Sequence, residues 1–66
     1  MNKREFERKI KVALKKHEWA DVELSTGDTI FATKYEKDLL LPKSVWLLYK
    51  DERIALIDFV NITHLD

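Results

Sequence analysis

The sequence predicts an α+β domain in which one amphipathic helix precedes a compact set of antiparallel strands. Three observations predict this class. Apolar residues recur at helical spacing over residues 3–17, the alternation typical of strands begins near Trp19, and the only glycine, Gly27, lies in a polar turn between two alternating segments. A chain of 66 residues has room for one hydrophobic core, so we expect a single domain over residues 1–66.

The helix is predicted over residues 3–17. Phe6, Ile10 and Leu14 share one face at about 100° per residue. Asn2 is the expected N-cap, and cations occupy the last turn, where the helix dipole favours positive charge. His17 continues the apolar face, so we interpret it as a partly buried packing residue rather than a ligand.

About five short strands are predicted over residues 19–65. Residues 19–35 form a hairpin around the turn at 25–28, where Gly27 supplies the positive φ that a tight turn needs. After a polar turn comes the short apolar run 39–41, which ends at Pro42, a residue that marks a sheet edge or a break.

The remaining strands lie in the C-terminal third of the chain. Residues 45–49 and 54–59 are nearly continuous apolar runs joined by four polar residues, which predicts a second hairpin with both faces covered. Residues 61–65 add one last strand.

Two segments of the sequence resemble the motifs of Sm-like proteins. Residues 22–32, VELSTGDTIFA, have the alternating apolar pair and turn glycine of the first Sm motif, with Asp38 and Leu41 at its later Asp and apolar positions. Residues 57–62, IDFVNI, have the apolar ends and the Asn of the second motif. The resemblance covers residues 5–65 and implies a five-stranded, strongly bent antiparallel barrel of the Sm-like or SH3-like kind. Its inward positions predict the following core residues: Val22, Leu24, Ile30, Leu56 and Ile62.

The residues that would bind RNA in that family are absent. The family uses an Asn after the first motif and an Arg-Gly pair in the second, whereas this chain has Pro42, Asp58 and Phe59 at those positions. An Asp in place of the Arg repels phosphate, so the family's uridine pocket is not expected. The chain is also similar in outline to small bacterial proteins of the YolD-like group and of the Rho-inhibiting Rof group, the second of which binds a protein.

Charge is divided unevenly along the chain although its formal net charge is zero. Residues 1–17 carry seven cations and two carboxylates, 7 − 2 = +5, and residues 18–66 carry five cations and ten carboxylates, 5 − 10 = −5. Such asymmetry suggests a charged partner. The chain has no cysteine, no signal-peptide-like apolar segment and no apolar run near the ~18 residues of a membrane span, so we expect a cytoplasmic protein without a membrane partner.

No pattern of catalytic or metal-binding residues is present. There is no cysteine and no glycine-rich phosphate loop, and His17 and His64 lie in different elements without ligand spacing. Asp38 and Asp58 are interpreted as solvated charges. We therefore expect a protein that is not an enzyme and that has no metal or cofactor.

Two surfaces remain as candidate interaction sites. The predicted strand 45–49 is apolar on both faces, more than one helix can cover, which makes Trp46, Leu48 and Tyr49 candidates for protein contact or for self-association. A ridge of cations follows spacings of four, three and four on the helix face opposite its apolar residues: Arg4, Arg8, Lys11 and Lys15. This cationic ridge is either a solvated face or a phosphate-binding one.

The leading hypothesis from the sequence is a small bacterial or phage regulatory or adaptor module that binds another protein through its barrel surface, with a homo-oligomer as one form of that binding. The alternative is a nucleic-acid-binding protein that uses the cationic ridge.

Overall fold

The computed structural model describes all 66 residues and contains one α-helix, six strands and one short 3-10 helix. The elements, in chain order, are α1 Lys3–His17, β1 Ala20–Leu24, β2 Thr29–Ala32, β3 Lys34–Glu36, β4 Val45–Lys50, β5 Arg53–Asp58, the 3-10 helix Phe59–Asn61 and β6 Ile62–Leu65. The α+β class is confirmed, and α1 has the predicted bounds.

At both ends of α1, local hydrogen bonds satisfy backbone groups that would otherwise lack a partner. The Glu5 N–H donates to Asn2 Oδ1 at 2.9 Å, which confirms the predicted N-cap. At the other end Glu18 adopts a left-handed conformation with φ 72°, and its N–H donates to the Leu14 carbonyl at 3.0 Å. Lys15, Lys16 and His17 occupy the last turn, where their charge suits the dipole.

The strands form two three-stranded antiparallel sheets, with the orders β2-β1-β6 and β3-β4-β5. The chain crosses from one sheet to the other at Thr33, whose N–H donates to the Tyr49 carbonyl at 2.7 Å. The sequence predicted one continuous strand across this position, but the bend at Thr33 divides it into β2 and β3.

The five-stranded closed barrel is therefore not observed, because the chain has six strands and no closed sheet. The physical reason lies at the end of β5. The Asp58 carboxylate accepts a hydrogen bond from the Val60 N–H at 3.0 Å and so starts the 3-10 helix. That helix separates the end of β5 from the start of β6, and the two strands do not pair with each other.

The core lies between α1 and the two sheets, with Phe6 at its centre. The Phe6 ring centroid lies 5.4 Å from that of Trp46 and 6.4 Å from those of Tyr35 and Phe59. One apolar side chain of the helix thus contacts β3, β4 and the 3-10 helix together. The buried residues are Phe6, Ile10, Ala13, Ala20, Val22, Ala32, Trp46, Leu48, Ile57, Ile62 and Leu65.

The predicted core is confirmed in part. Val22 and Ile62 are buried, and Leu24 and Ile30 are half-buried against the core. The prediction for Leu56 is wrong, because its side chain is 60% exposed.

The register of β5 explains this exposure. Ile57 pairs with the buried Trp46 and faces inward, so strand alternation turns its neighbour Leu56 outward.

The first predicted turn is present and the apolar run 39–41 is not a strand. Gly27 has φ 93° in the turn between β1 and β2. Leu39 and Leu40 lie in the loop between β3 and β4 and are 97% and 94% exposed. Pro42 follows in the same loop, outside both sheets.

Candidate protein-interaction surface

Strand β4 divides its side chains between the core and the outer face of its sheet. Trp46 and Leu48, two of the three predicted contact residues, are 8% and 1% exposed and lie in the core. Their burial removes them from the candidate surface, because α1 places Phe6 over this face of β4. Tyr49, the third, is half-buried on the opposite face.

The opposite face carries a row of apolar side chains that no element covers. Ile54 and Leu56 of β5 are 58% and 60% exposed, and they pair with the half-buried Tyr49 and Leu47 of β4. Since paired residues are cross-strand neighbours on one face, these side chains are contiguous. We call this group the outer patch, and it consists of Val45, Leu47, Tyr49, Ile54 and Leu56.

Ile54 and Leu56 were missed by sequence analysis because residues 54–57 are apolar in both strand phases. A signal does exist in the hairpin. Its two-residue turn pairs Lys50 with Arg53. Once Trp46 is placed inward, that register assigns Ile57 to the core and Leu56 to the outside.

A network of polar side chains borders the outer patch along β3. Lys34 Nζ lies 2.9 Å from Glu36 Oε1, and the Tyr49 hydroxyl donates to Glu36 Oε2 at 2.8 Å. Lys34 Nζ also lies 5.3 Å from the centroid of the Tyr49 ring. The phenol ring is thereby held on the sheet with its apolar face beside Ile54.

The same network shifts the three ionisation equilibria. The hydrogen bond with Lys34, followed by that from Tyr49, lowers the pKa of Glu36 below its ordinary value. The hydrogen bond with Glu36 raises the pKa of Lys34, and the hydrogen bond that Tyr49 donates to Glu36 raises the pKa of the phenol. Each group is therefore stabilised in the ionisation state it has at neutral pH.

The loop between β3 and β4 is held at its base by Lys37. Lys37 Nζ donates to the Pro42 and Val45 carbonyls, both at 2.6 Å. The Leu40 N–H donates to the Asp38 carboxylate at 2.8 Å. Asp38, interpreted from the sequence as a solvated charge, thus organises the turn that exposes Leu39 and Leu40.

Asp58 also has a structural task that the sequence did not reveal. Its carboxylate accepts from the Ser44 hydroxyl at 2.9 Å in addition to the Val60 N–H. The two bonds join the end of β5 to the chain just before β4, so this carboxylate is held in place rather than freely solvated.

The cationic ridge lies on the exposed side of α1. Arg4, Arg8, Lys11 and Lys15 are all exposed, and none has a carboxylate within 4.0 Å. The helix's one ion pair joins Lys9 to Glu5, at 3.8 Å, outside the ridge.

Beside the ridge is a cleft of about 380 Å³ between α1 and β6. Its lining includes Arg8, Lys9, Lys16, His17 and His64, with Asp66 as its carboxylate. His17 is half-buried there, and its ring centroid lies 5.7 Å from that of Trp19. His64 reaches the helix because β6 pairs with β1, a long-range contact that local sequence patterns do not indicate.

Comparison of the chain with protein-family models, with curated proteins and with solved structures finds no match. The one α-helix is too short and too polar to cross a membrane. Histidine and acidic side chains nowhere gather in a group of three able to hold a metal ion.

Proposed function

We propose that this protein is a non-enzymatic regulatory or adaptor module, of bacterial or phage type, that binds another protein through the outer patch. The observation that supports this most strongly is the exposure of Ile54 and Leu56, at 58% and 60%, beside Leu47 and Tyr49 on one ordered sheet.

The composition of the patch suits a protein partner. Single exposed apolar residues are ordinary on a protein surface, whereas a contiguous apolar group with a polar border is typical of an interface. The outer patch has that form, since Lys34 and Glu36 border it and Tyr49 supplies an aromatic ring of restricted mobility.

We propose further that the fold is an opened variant of the Sm-like or SH3-like barrel. Strand neighbours follow the order β6, β1 and β2, and after the bend at Thr33 the order β3, β4 and β5. The opening lies between β5 and β6. Asp58, which replaces the family's RNA-binding Arg, is engaged with Ser44 and Val60, so this position supports the hairpin end instead of a nucleotide.

The test compares two substitutions at equally exposed apolar positions. Ile54 is 58% exposed on the outer patch and Val12 is 59% exposed on α1. Ile54→Glu places a charge in the proposed interface. Because binding would remove that carboxylate from water at a cost in free energy, the change should abolish the capture of partner proteins from a native lysate. Val12→Glu should leave that capture unchanged. Equal capture by Ile54→Glu and the wild-type protein would contradict the proposal.

A second function, nucleic-acid binding, is favoured by the unpaired cations of the ridge. Changing Arg4, Arg8, Lys11 and Lys15 to Gln would remove up to four phosphate contacts and flatten the slope of log affinity against log salt by as much as ~3.6 on duplex DNA. The helix should persist, because Gln is nearly as good a helix former as Lys. If the wild-type protein retards neither DNA nor RNA at about 50 mM salt, the second function is excluded, since phosphate attraction is strongest at low ionic strength.

A further inference from the structure

Strand β5 has one edge that no other strand occupies, and the direction of its backbone groups can be derived from β4. In β4 the Tyr49 carbonyl accepts from Thr33, on the side of β3, and just before β4 the Ser44 carbonyl accepts from Phe59, on the side of β5. Backbone groups in an antiparallel strand alternate between the two neighbours. Residues 46, 48 and 50 therefore bond to β5, and their partners there are Ile57, Ala55 and Arg53.

The intervening residues of β5 direct their N–H and C=O groups away from β4. These residues are Ile54, Leu56 and Asp58, and we call them the free edge. A cleft of about 270 Å³ separates the free edge near Leu56 and Asp58 from the turn between β1 and β2. The backbone donors and acceptors of the free edge thus coincide with the two most exposed apolar side chains of the outer patch.

Of the four edge strands, β2, β3, β5 and β6, strand β5 is the longest. Strand β2 has only four residues and ends at the bend at Thr33. Strand β3 has only three residues, two of which are the charged Lys34 and Glu36. Strand β6 pairs with β1 through an irregular register at Glu23 and Leu24. Strand β5 pairs with β4 over six consecutive residues without a register shift, contains no proline, and has charges only at its ends. A regular apolar edge of this kind is a template for pairing with another strand.

We infer that the free edge pairs with the free edge of a second copy of this chain, antiparallel and across a two-fold axis at Leu56. In that register Leu56 lies opposite Leu56 of the other copy, Ile54 opposite Asp58, and Ala55 opposite Ile57. Apolar side chains meet at the centre and no two like charges are directly opposed.

The neighbouring registers are less favourable. Shifting the axis to Ala55 pairs residues 53–57, places Arg53 opposite the buried Ile57, and brings the turn residue Glu52 near Asp58 of the other copy, which has the same charge. Shifting it to Ile57 places Val60 opposite Ile54 of the other copy. Val60 belongs to the 3-10 helix and so is not extended as a paired strand residue must be. The Leu56 axis avoids both features, and it joins the two sheets into one continuous six-stranded sheet.

This inference goes beyond the proposed function, because the dimer uses the backbone edge of β5 and does not depend on the binding of another protein to the outer patch. The dimer it describes has a small interface, so it should be weak and form over the range of about 10 µM to about 1 mM. Over this range, sedimentation equilibrium should show the mass rising from that of a monomer to that of a dimer. Over the same range the amide protons of Ile54 and Leu56 should become protected from hydrogen exchange, whereas those of Ala55 and Ile57 should be protected throughout.

Two variants at one position separate the backbone contact from the side chain. Leu56→Ala shortens the side chain and keeps the N–H, while Leu56→Pro also removes the N–H that faces the free edge. The dissociation constant of the dimer should be at least about tenfold higher for Leu56→Pro than for Leu56→Ala, because Leu56→Pro also removes two intermolecular hydrogen bonds per dimer. If Leu56→Pro does not fold, the exchange pattern of the wild-type protein still decides the question.

Leu47→Glu distinguishes a failure of this inference from a failure of the proposed function. Leu47 belongs to the outer patch, but its backbone bonds to β3, so the dimer should survive the change while partner capture is lost. A wild-type protein that is monomeric at about 1 mM, or a dimer whose Leu56 amide stays unprotected, would overturn the inference. Either result would leave the proposed function standing if Leu47→Glu still abolished capture. Capture unaffected by Leu47→Glu would contradict the proposed function instead.

Discussion

Leu48 and Leu56 are chemically identical and lie on neighbouring strands, but the structure assigns them opposite environments. Leu48 is 1% exposed in the core, whereas Leu56 is 60% exposed on the outer patch. Leu48→Ala should cost about 2–5 kcal/mol, because the lost side chain leaves a cavity in the core. Leu56→Ala should cost less than about 1 kcal/mol, because water already reaches most of that side chain.

These costs are large relative to the stability of so small a domain. A chain of 66 residues is expected to unfold with a free energy of about 3–10 kcal/mol. With a urea m-value of about 1 kcal/mol/M, the low end for small proteins, Leu48→Ala should lower the urea midpoint by about 2 M or more and Leu56→Ala by less than about 1 M.

Urea denaturation followed by tryptophan fluorescence measures both midpoints. If Leu48→Ala is unfolded without denaturant, Ile57→Val provides a milder change on the same face, with an expected cost of about 0.5–1.5 kcal/mol. Equal shifts for Leu48→Ala and Leu56→Ala would refute the assignment of inner and outer faces in β4 and β5.

Three further predictions concern local features. Glu36→Gln should lower the urea midpoint between about pH 5 and about pH 9, and this effect should shrink as the pH falls below about 4. The sign follows from the shifts: the lowered pKa of Glu36 gives stability that is lost as the pH falls, and the raised pKa values of Lys34 and Tyr49 give stability that is lost above about pH 10. Asn2→Ala should cost about 1 kcal/mol in urea denaturation, since the Glu5 N–H loses its cap, and no change would contradict the cap. Gly27→Ala should cost about 1–2 kcal/mol, because an added Cβ meets nothing within 4 Å but φ 93° is unfavourable for alanine, and a neutral effect would contradict that turn geometry.

The helix was predictable because its signals are local. The spacing of Phe6, Ile10 and Leu14, the cap at Asn2 and the cations of the last turn all lie within the helix or next to it. The second hairpin was predictable for the same reason, since two apolar runs flank one polar turn.

The arrangement of the two sheets was not predictable from such signals. The bend at Thr33 depends on a hydrogen bond to Tyr49, sixteen residues away in sequence. The end of β5 depends on the contacts of Asp58 with Ser44 and Val60. Such contacts form only in the folded chain, so a strand pattern alone suggests a continuous strand and a closed barrel.

The sequence placed the candidate contact residues on β4 but did not decide which face of that strand packs on the helix. An apolar run such as residues 45–49 indicates that each face of the strand is either covered or available for contact with another protein. It does not show which face packs on the helix. The decision comes from Phe6, whose ring packs against Trp46 and draws that face inward. The cationic ridge needed no such decision, because the helical period alone places its four residues together.

The central claim is that the outer patch, and not the helix, receives a protein partner. Solvent paramagnetic relaxation of methyl groups, recorded for the free protein and for its complex with a captured partner, tests it directly. In the free protein the methyl groups of Ile54 and Leu56 should relax strongly and those of Leu48 should not. In the complex the relaxation of Ile54 and Leu56 should fall while that of Val12 on α1 stays unchanged. A complex that protects Val12 and leaves Ile54 and Leu56 exposed to the solvent probe would contradict the claim.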